Sequence, residues 1–327
     1  MTSQPVFGDG AAVGGDSRRR QAMLAEVRDA LSRTPREIPP KYFYDERGSR
    51  LFEAITALPE YYPTRAERAI LDERAGEIVA ARPRTLVELG AGSAAKTRVL
   101  LDAMRVKASD VTYVPVDVSG TFLDETRAAL EREMPGLRVK PIVADITEAL
   151  DLPPRLPAPV LFAFLGSTIG NFNGAEAVGL LRRVRSKMRP GDQFLLGADL
   201  RKDRTTLEAA YNDSAGVTAE FNRNVLRVLN AELGADFVPE QFAHRAFYDD
   251  NEHRIEMHLV STIAQLVRIP GMPTLALREG ESIRTEVSYK YDRTSIEALA
   301  GAARLSVGRW FTDHGERFAL SVLEASA

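Results

Sequence analysis

The chain of 327 residues has no cysteine, one tryptophan and four histidines. The absence of cysteine excludes disulfides, cysteine-ligated zinc or iron–sulfur clusters, and catalysis by a thiol. No run of about 18 apolar residues occurs, so the sequence predicts no membrane-spanning helix. The net charge of −3 comes from 43 basic and 46 acidic residues. A balance this close predicts no overall attraction for nucleic acid or for an anionic membrane.

The four histidines do not form a metal-binding pattern. His253 and His258 flank Glu256, but their spacing is not that of the two-histidine helix of zinc enzymes. We therefore predict structural or surface roles for these two residues and for His244 and His314, and we predict no metal site.

The N-terminal segment has the composition of a tail. Residues 1–16 are rich in glycine, alanine and serine, and we predict that they are disordered. The basic cluster Arg18–Arg20 precedes no apolar stretch with a cleavage site, so it is not a secretory signal. We interpret it as the solvated start of a helix rather than as a nucleic-acid or lipid patch. The expected compartment is the cytoplasm.

Strand and helix patterns alternate between residues 65 and 200. Apolar runs such as Thr85–Leu89 and Val160–Leu165 are separated by segments of helical periodicity, which predicts a parallel sheet with right-handed crossovers. A helix returns near Arg293, and two β-rich runs then flank Asp313–Glu316, which is a hairpin signal. The predicted fold class is α/β, with a Rossmann-like sheet and an antiparallel terminal hairpin.

The length predicts about two domains, and the alternation indicates where they divide. It stops after Leu200 and gives way to helix and longer antiparallel strands. We assign 17–64 and 201–289 to an α+β substrate-binding domain, and 65–200 and 290–327 to a cofactor-binding domain. At the first border, Thr64 has a glutamate three residues on (Glu67), the spacing of a capping box, so we expect a helix to begin there.

A glycine-containing turn follows the first strand of the alternating region. Its glycines allow backbone N–H groups to approach a ligand at the positive end of the next helix. Ala95 stands at the third position of the dinucleotide fingerprint, which tolerates alanine, so NAD remains an alternative, as does a plain strand–helix turn. The turn reads Glu88-Leu89-Gly90-Ala91-Gly92-Ser93.

Acidic residues end the next two strands. Asp117 is placed to accept hydrogen bonds from ribose hydroxyls, and Asp145 from an adenine amine. The carboxyl ends of successive parallel strands meet in one crevice, so these residues and Gly90 predict one nucleoside site. The turn is acidic at Glu88, which disfavours a nucleoside triphosphate. With the terminal hairpin, these features resemble the class I methyltransferases that use S-adenosylmethionine.

Longer blocks of the sequence are more specific. They are Pro39-Pro40-Lys41-Tyr42-Phe43-Tyr44-Asp45, Leu58-Pro59-Glu60-Tyr61-Tyr62-Pro63-Thr64-Arg65, Phe164-Leu165-Gly166-Ser167-Thr168-Ile169-Gly170-Asn171, Ala215-Gly216-Val217-Thr218, Phe221-Asn222-Arg223-Asn224-Val225-Leu226 and Thr285-Glu286-Val287-Ser288. These blocks resemble a particular family, the L-histidine Nα-methyltransferases of ergothioneine biosynthesis. The resemblance extends from about residue 20 to the C-terminus. It implies three successive methyl transfers to the α-amine of L-histidine, with hercynine as the product.

The resemblance also implies roles for individual residues. Five would contact S-adenosylmethionine: Gly90, Lys96, Asp117, Asp145 and Ile146. Three would hold the carboxylate and amine end of the amino acid: Tyr61, Asn171 and Tyr211. Gly166 would border the methyl-transfer site, and Tyr44 would lie near the amine. Met257 would lie beside the imidazole ring, and Glu286 and Ser288 would hydrogen-bond it. The loop after Gly90 departs from the family pattern, which bears on cofactor affinity rather than identity.

Residue chemistry fits these roles. The Glu286 carboxylate would form a charge-assisted hydrogen bond with an imidazole N–H, and Ser288, two residues on, would face the same way and serve the other ring nitrogen as donor or acceptor. An unperturbed tyrosine has a pKa of about 10, so we expect Tyr44 to orient the amine rather than to act as an obligate base. Aromatic side chains would also suit a product that becomes a quaternary ammonium.

Two alternatives remain open at this point. The same fold could act on another amino acid such as tryptophan, or the chain could bind S-adenosylmethionine without turnover. The polar set that includes Asn171, Tyr211, Glu286 and Ser288 argues against a silent binder. We expect a monomer whose small-molecule partner is L-histidine, with no nucleic-acid or membrane partner.

Overall fold

The structure, a computed structural model, describes residues 10–108, 110–147 and 150–326. Of the predicted tail 1–16, residues 1–9 lie outside the described residues. The backbone is already helical at Gly10, so the first helix begins earlier than the helical periodicity indicates.

The chain forms two compact units. The smaller unit comprises residues up to Phe52 together with Ala215–Ala246 and Met257–Glu286. The larger unit comprises Glu53–Ser214, Phe247–Glu256 and Val287–Ala327. These borders differ from the predicted division: residues 53–64, 201–214, 247–256 and 287–289 belong to the larger unit. Residues 62–64 belong to the larger unit because they begin a helix, Tyr62–Ile78, that packs against other elements of this unit. Those elements are the helix Thr97–Lys107 and the strands Gln193–Asp199, Leu305–Thr312 and Phe318–Ala325.

The elements of the larger unit are α2 (Glu46–Thr56, which the border between the units cuts), α3 (Tyr62–Ile78), β2 (Thr85–Leu89), α4 (Thr97–Lys107), β3 (Thr112–Asp117), α5 (Gly120–Glu133), β4 (Arg138–Val139), β5 (Ile142–Val143), β6 (Val160–Phe164), α6 (Gly174–Lys187), β7 (Gln193–Asp199), α7 (Arg204–Ala209), α9 (Arg293–Ala302), β13 (Leu305–Thr312) and β14 (Phe318–Ala325). This unit is built on a sheet with the order β13-β14-β7-β6-β2-β3-β4, in which β5 also pairs with β3. Strands β7, β6, β2, β3 and β4 run parallel, whereas β14 is antiparallel to both β7 and β13. The predicted α/β class with an antiparallel terminal hairpin is confirmed.

Burial explains the central strands. Every residue of β2 and β6 is buried, as expected for parallel strands covered on both faces. Next to β3 the chain forms two short strands, β4 and β5, because Pro141 lies between them and has no N–H to donate. At the terminal hairpin, the Asp313 carboxylate accepts backbone N–H groups from Arg317 and Phe318 at 2.7 and 2.9 Å, which fixes the predicted turn.

The elements of the smaller unit are α1 (Gly10–Ser32), β1 (Arg36–Glu37), α8 (Val217–Leu233), β8 (Phe242–Asp249), β9 (Arg254–Ser261), β10 (Gln265–Val267), β11 (Leu275–Leu277) and β12 (Ser282–Tyr289). This unit contains most of a four-stranded sheet with the order β1-β12-β9-β8, and a separate β10–β11 hairpin. The border between the units falls inside β8, β9 and β12, so Glu286 and Val287 belong to different units although they are adjacent in β12.

The capping box predicted at Thr64 is wrong. Helix α3 begins two residues earlier, at Tyr62, with Pro63 in its first turn, where the missing proline N–H costs no hydrogen bond. Glu67 is therefore inside the helix and completely buried.

Neither a membrane span nor a metal site is found in the residues that the structure describes. None of the helices in these ranges has both the length and the apolar content needed to cross a membrane. The same part of the chain holds no group of three or more histidine, aspartate or glutamate side chains arranged to bind a metal ion.

Candidate active site

The glycine turn lies at the carboxyl end of β2, in the larger unit. Gly90 and Gly92 have φ values of 65° and 49°, a region that side chains disfavour. The Gly90 N–H donates to the Val116 carbonyl at 2.8 Å, which ties the turn to β3. Asp117, at the end of β3, accepts the Gly92 N–H at 3.1 Å. The turn is therefore an open backbone cradle that one carboxylate holds in place.

Glu88 lies directly before this turn and is buried. It accepts hydrogen bonds from the hydroxyls of Thr97, at 2.7 Å, and Tyr113. Burial raises the pKa of Glu88 to about 7, although these hydroxyl hydrogen bonds oppose the shift. Glu88 thus connects β2, β3 and the first residue of α4 beneath the turn.

Lys96 and Gly166 lie next to each other. A Cβ atom on Gly166 would be 3.4 Å from the Lys96 ammonium, and φ of Gly166 is 74°. The buried Glu67 carboxylate forms an ion pair with Lys96 and accepts the Gly166 N–H at 2.8 Å. Glu67 therefore holds an ammonium and a glycine that both belong to the predicted site.

Asp145 and Ile146 follow β5, which pairs with the end of β3. Asp145 accepts the backbone N–H of Thr147 at 2.8 Å. Ile146 is half-buried and packs against the core of the larger unit. Three of the predicted cofactor-binding residues, Asp117, Asp145 and Ile146, thus lie at or just beyond the ends of the paired strands β3 and β5.

Tyr61, Tyr211 and Ser288 form a second group in the larger unit. The rings of Tyr61 and Tyr211 meet edge to face with centroids 6.4 Å apart. The Tyr211 hydroxyl donates to Ser288 Oγ at 2.9 Å. Lys290 Nζ donates to Ser288 Oγ at 2.9 Å and to the Tyr211 hydroxyl at 3.1 Å. Two predicted substrate-binding hydroxyls therefore share one buried ammonium.

Lys290 belongs to a larger buried ion network around Asp199. The Asp199 carboxylate pairs with Lys290 at 2.8 Å and with Lys202 at 2.7 Å, and it accepts the Tyr62 hydroxyl at 2.8 Å. Burial opposes the charged forms of Asp199 and Lys290, but their mutual attraction outweighs it, so the pKa of Asp199 is lowered and that of Lys290 is raised. Burial lowers the pKa of Lys202 to about 8 against the attraction of Asp199.

Asn171 is half-buried at the end of a short 3-10 helix, Thr168–Asn171. The preceding residue, Gly170, is pressed against the end of β12. A Cβ atom there would be 2.8 Å from the Tyr289 carbonyl oxygen and 3.4 Å from Ser288 Oγ. The absence of a side chain at residue 170 therefore allows the Asn171 segment to lie beside Ser288.

Tyr44, Met257 and Glu286 belong to the smaller unit. Tyr44 packs edge-on against Phe52 and Phe221, with ring centroids 5.7 Å away in each case. Met257 is buried in β9, and its carbonyl accepts the Thr285 hydroxyl of β12 at 3.1 Å. Glu286 is half-buried on the same strand.

The sequence interpretation missed Glu67, Asp199, Lys202 and Lys290. Lysine and aspartate are mostly exposed in proteins, so composition gives no sign of a buried pair. A signal for Lys290 exists, however. Side chains alternate along an extended segment, so the spacing that groups Glu286 with Ser288 also places Lys290 on that face.

The sheet order, the reversed last strand, the glycine turn and the acidic residue that ends β3 together define a class I methyltransferase. These features fit S-adenosylmethionine: an open backbone turn, a carboxylate at the strand end and an ammonium beside Gly166. In a comparison with solved structures, the chain resembles the CcbJ methyltransferase from Streptomyces caelestis, with a TM-score of 0.48 and 16% identity over 83% of this chain and 98% of that one.

The chain belongs to the family described as histidine-specific, S-adenosylmethionine-dependent methyltransferases, which matches residues 23–325. It is 45% identical to a histidine N-alpha-methyltransferase from Mycobacterium tuberculosis, over 94% of this chain and 96% of that protein. It is 31% identical to ergothioneine biosynthesis protein 1 of Neurospora crassa, over 89% of this chain and 33% of that longer protein. The predicted family and its methyl donor are confirmed, and the NAD alternative is not supported.

Proposed function

We propose that the chain transfers methyl groups from S-adenosylmethionine to the α-amine of L-histidine in three successive steps, giving the trimethylated amino acid hercynine for ergothioneine biosynthesis. The observation that carries this proposal is the match to histidine-specific methyltransferases over nearly the whole chain. The fungal relative supports the pathway through its name.

Each proposed cofactor-binding residue would contact a different part of S-adenosylmethionine. Backbone groups of the turn at Gly90 would lie along the donor, Asp117 and Asp145 would accept hydrogen bonds from it, and Ile146 would pack against it. Lys96 would attract its carboxylate. The sulfonium supplies an electrophilic methyl group when it is bound.

The substrate residues would hold the amine in line with that methyl group. Each transfer forms an N–CH3 bond, breaks an S–CH3 bond and requires a free lone pair on nitrogen, so a proton leaves the amine before each step. Water or a weak base in the site takes this proton. Tyr61, Asn171 and Tyr211 would bind the amino-acid end, with Tyr44 orienting the amine. Alignment of this kind contributes about 7–11 kcal/mol in well-oriented systems.

The imidazole ring would be recognised by β12. Glu286 and Ser288 are two residues apart in this strand, and the extended backbone turns alternate side chains to one face. Glu286 would accept a ring N–H, Ser288 would serve the other nitrogen, and Met257 of β9 would lie beside the ring. Gly166 would leave room for methyl transfer. The proposed domain roles follow: the predicted cofactor-binding domain binds the donor, and the segments around Tyr44, Met257 and Glu286 select the acceptor.

The test is Glu286→Ala, assayed with L-histidine by mass spectrometry of the mono-, di- and trimethylated products. We expect kcat/KM to fall roughly 100-fold or more, because a buried polar ring left unpaired costs several kcal/mol. The exposed Glu279, which precedes β12, provides the control Glu279→Ala, with activity unchanged.

Two results would contradict the proposal. Unchanged histidine turnover in Glu286→Ala would indicate another amino-acid acceptor such as tryptophan. Tight cofactor binding by the wild-type chain without methylation of any amino acid would indicate a silent binding protein. A cytoplasmic location and a monomeric state also belong to the proposal, and size-exclusion chromatography tests the second.

A further inference from the structure

The hydrogen bonds around Ser288 determine which way its hydroxyl can act. Ser288 Oγ accepts one hydrogen bond from Lys290 Nζ and one from the Tyr211 hydroxyl, both at 2.9 Å. A serine oxygen has two acceptor lone pairs and one proton. Both lone pairs are used, so the O–H proton is what remains for a ligand.

Lys290 is fixed in the role of donor. Its side chain is completely buried, and its three ammonium protons are directed to Asp199 Oδ2 at 2.8 Å, the Tyr211 hydroxyl at 3.1 Å and Ser288 Oγ at 2.9 Å. The backbone is fixed too, because the Lys290 N–H donates to the His253 carbonyl at 2.7 Å. An ammonium has no acceptor capacity, so Lys290 cannot reverse any of these bonds.

The charges around Lys290 keep it an ammonium. Asp199 faces it as a carboxylate and also pairs with Lys202 and Tyr62, while Tyr211 faces it with its hydroxyl oxygen as an acceptor. Burial would lower the pKa of Lys290, but Asp199 and Tyr211 outweigh that effect and raise it. Lys202 contacts the same carboxylate but neither Tyr211 nor Ser288 among the described hydrogen bonds.

We infer that Lys290 is a positioning residue that makes Ser288 a hydrogen-bond donor, so that the enzyme selects the neutral imidazole form of its substrate and rejects imidazolium. This inference rests on the proposed contact between Ser288 and the ring. Neutral imidazole offers one N–H, for Glu286, and one bare nitrogen, for the Ser288 O–H. Imidazolium would instead direct a second N–H at the Ser288 proton, close to the positive charge of Lys290.

The test compares two ligands whose rings differ in charge. Histidine loses its neutral form below a pKa of about 6.5, whereas the triazole ring of 1,2,4-triazolyl-L-alanine stays neutral. Calorimetric titration of both into enzyme saturated with S-adenosylhomocysteine, between about pH 5 and 8, gives an affinity ratio in which the enzyme's own titrations cancel. In the wild type we expect this ratio to shift toward the triazole about tenfold for each pH unit below 6.5.

Two matched variants locate the effect. Lys290→Met removes a cation from Asp199 and frees one lone pair of Ser288. Asp199 stays paired with Lys202 and Tyr62, so its buried charge is still balanced and we expect the variant to fold. We expect its affinity ratio to become nearly independent of pH. Lys202→Met also removes one cation from Asp199 but does not touch Ser288, and we expect it to keep the wild-type pH dependence.

A pH-independent ratio in the wild type, a wild-type slope in Lys290→Met, or the same flattening in Lys202→Met would each overturn the inference. These results differ from a failure of the proposed function, which would be the absence of histidine methylation by the wild type. If Lys290→Met is poorly folded, Lys290→Gln, which keeps a donor but adds an acceptor, takes its place with the same expected flattening.

Discussion

In the larger unit, the buried carboxylates Glu88 and Asp199 have environments that shift their pKa values in opposite directions. Glu88, beneath the glycine turn, is held by the hydroxyls of Thr97 and Tyr113, and burial raises its pKa to about 7. Asp199 contacts two lysines, which overcome burial and lower its pKa. Contact with cations therefore decides whether burial raises the pKa of a buried acid, as for Glu88, or is overcome, as for Asp199.

The two environments match two ways of positioning ligand groups. The turn above Glu88 presents backbone atoms, and these depend on the local conformation of Gly90 and Gly92. The network around Asp199 presents the hydroxyls of Tyr211 and Ser288, which depend on charge contacts between residues far apart in sequence. The first arrangement is readable from a short motif, and the second is not.

The largest expected effect comes from removing the charge of Asp199. Asp199→Asn leaves Lys290 and Lys202 buried together without a carboxylate, so one of them must lose its proton or remain unpaired. We expect the free energy of unfolding at pH 7 to fall by about 3–5 kcal/mol, measured by urea unfolding. The same change at the half-buried Asp117, which contacts only backbone N–H groups among its described hydrogen bonds, should cost about 1 kcal/mol or less.

If Asp199→Asn and Asp117→Asn lost the same free energy of unfolding, the buried ion network would contribute no more to stability than an ordinary turn carboxylate. The pH dependence gives a second check. Since the folded-state pKa of Asp199 is lowered, its contribution to stability is present above its unfolded pKa and is lost as the pH falls through the folded value. Asp199→Asn should therefore differ least from the wild type in acid.

For Glu88 we predict that stability changes with pH in the opposite direction to that for Asp199. Between pH 4.5 and about 7 the folded state retains the Glu88 proton and the unfolded state does not, so stability falls as the pH rises through this window and is flat above it. Glu88→Gln removes this dependence. Its free energy of unfolding relative to the wild type should rise by about 3 kcal/mol from pH 4.5 to 7.

Thermal and urea unfolding across that range measure the Glu88 effect. Glu131→Gln, on the exposed face of α5, serves as the control and should track the wild type at every pH. A constant difference between Glu88→Gln and the wild type would mean that Glu88 is ionised in the folded state.

Much of the fold follows from local patterns. The buried run Thr85–Leu89 and the turn at Asp313 are predicted correctly because they depend on neighbouring residues. The start of α3 is not, because Glu67 has the spacing of a cap but is drawn into the interior by Lys96 and the Gly166 N–H. The role of Ser288 is predicted from the family resemblance. The ion pair of Lys290 and Asp199 is not predicted, because the two residues are 91 positions apart and no local sequence pattern connects them.

The smallest expected effect concerns Asp117 and the glycine turn. Its two carboxylate oxygens accept the N–H groups of Gly92 and Ser119, each at 3.1 Å. In Asp117→Asn one oxygen becomes an NH2 group, so one backbone donor loses its acceptor and the proposed acceptor for the ligand's ribose is weakened. Since the turn's backbone is otherwise fixed by Gly90 and Val116, we expect a loss of about 1–2 kcal/mol in affinity for S-adenosylhomocysteine, roughly 5- to 30-fold. Calorimetric titration measures it, with the stability of the variant as control, and unchanged affinity would show that backbone geometry alone defines this end of the site.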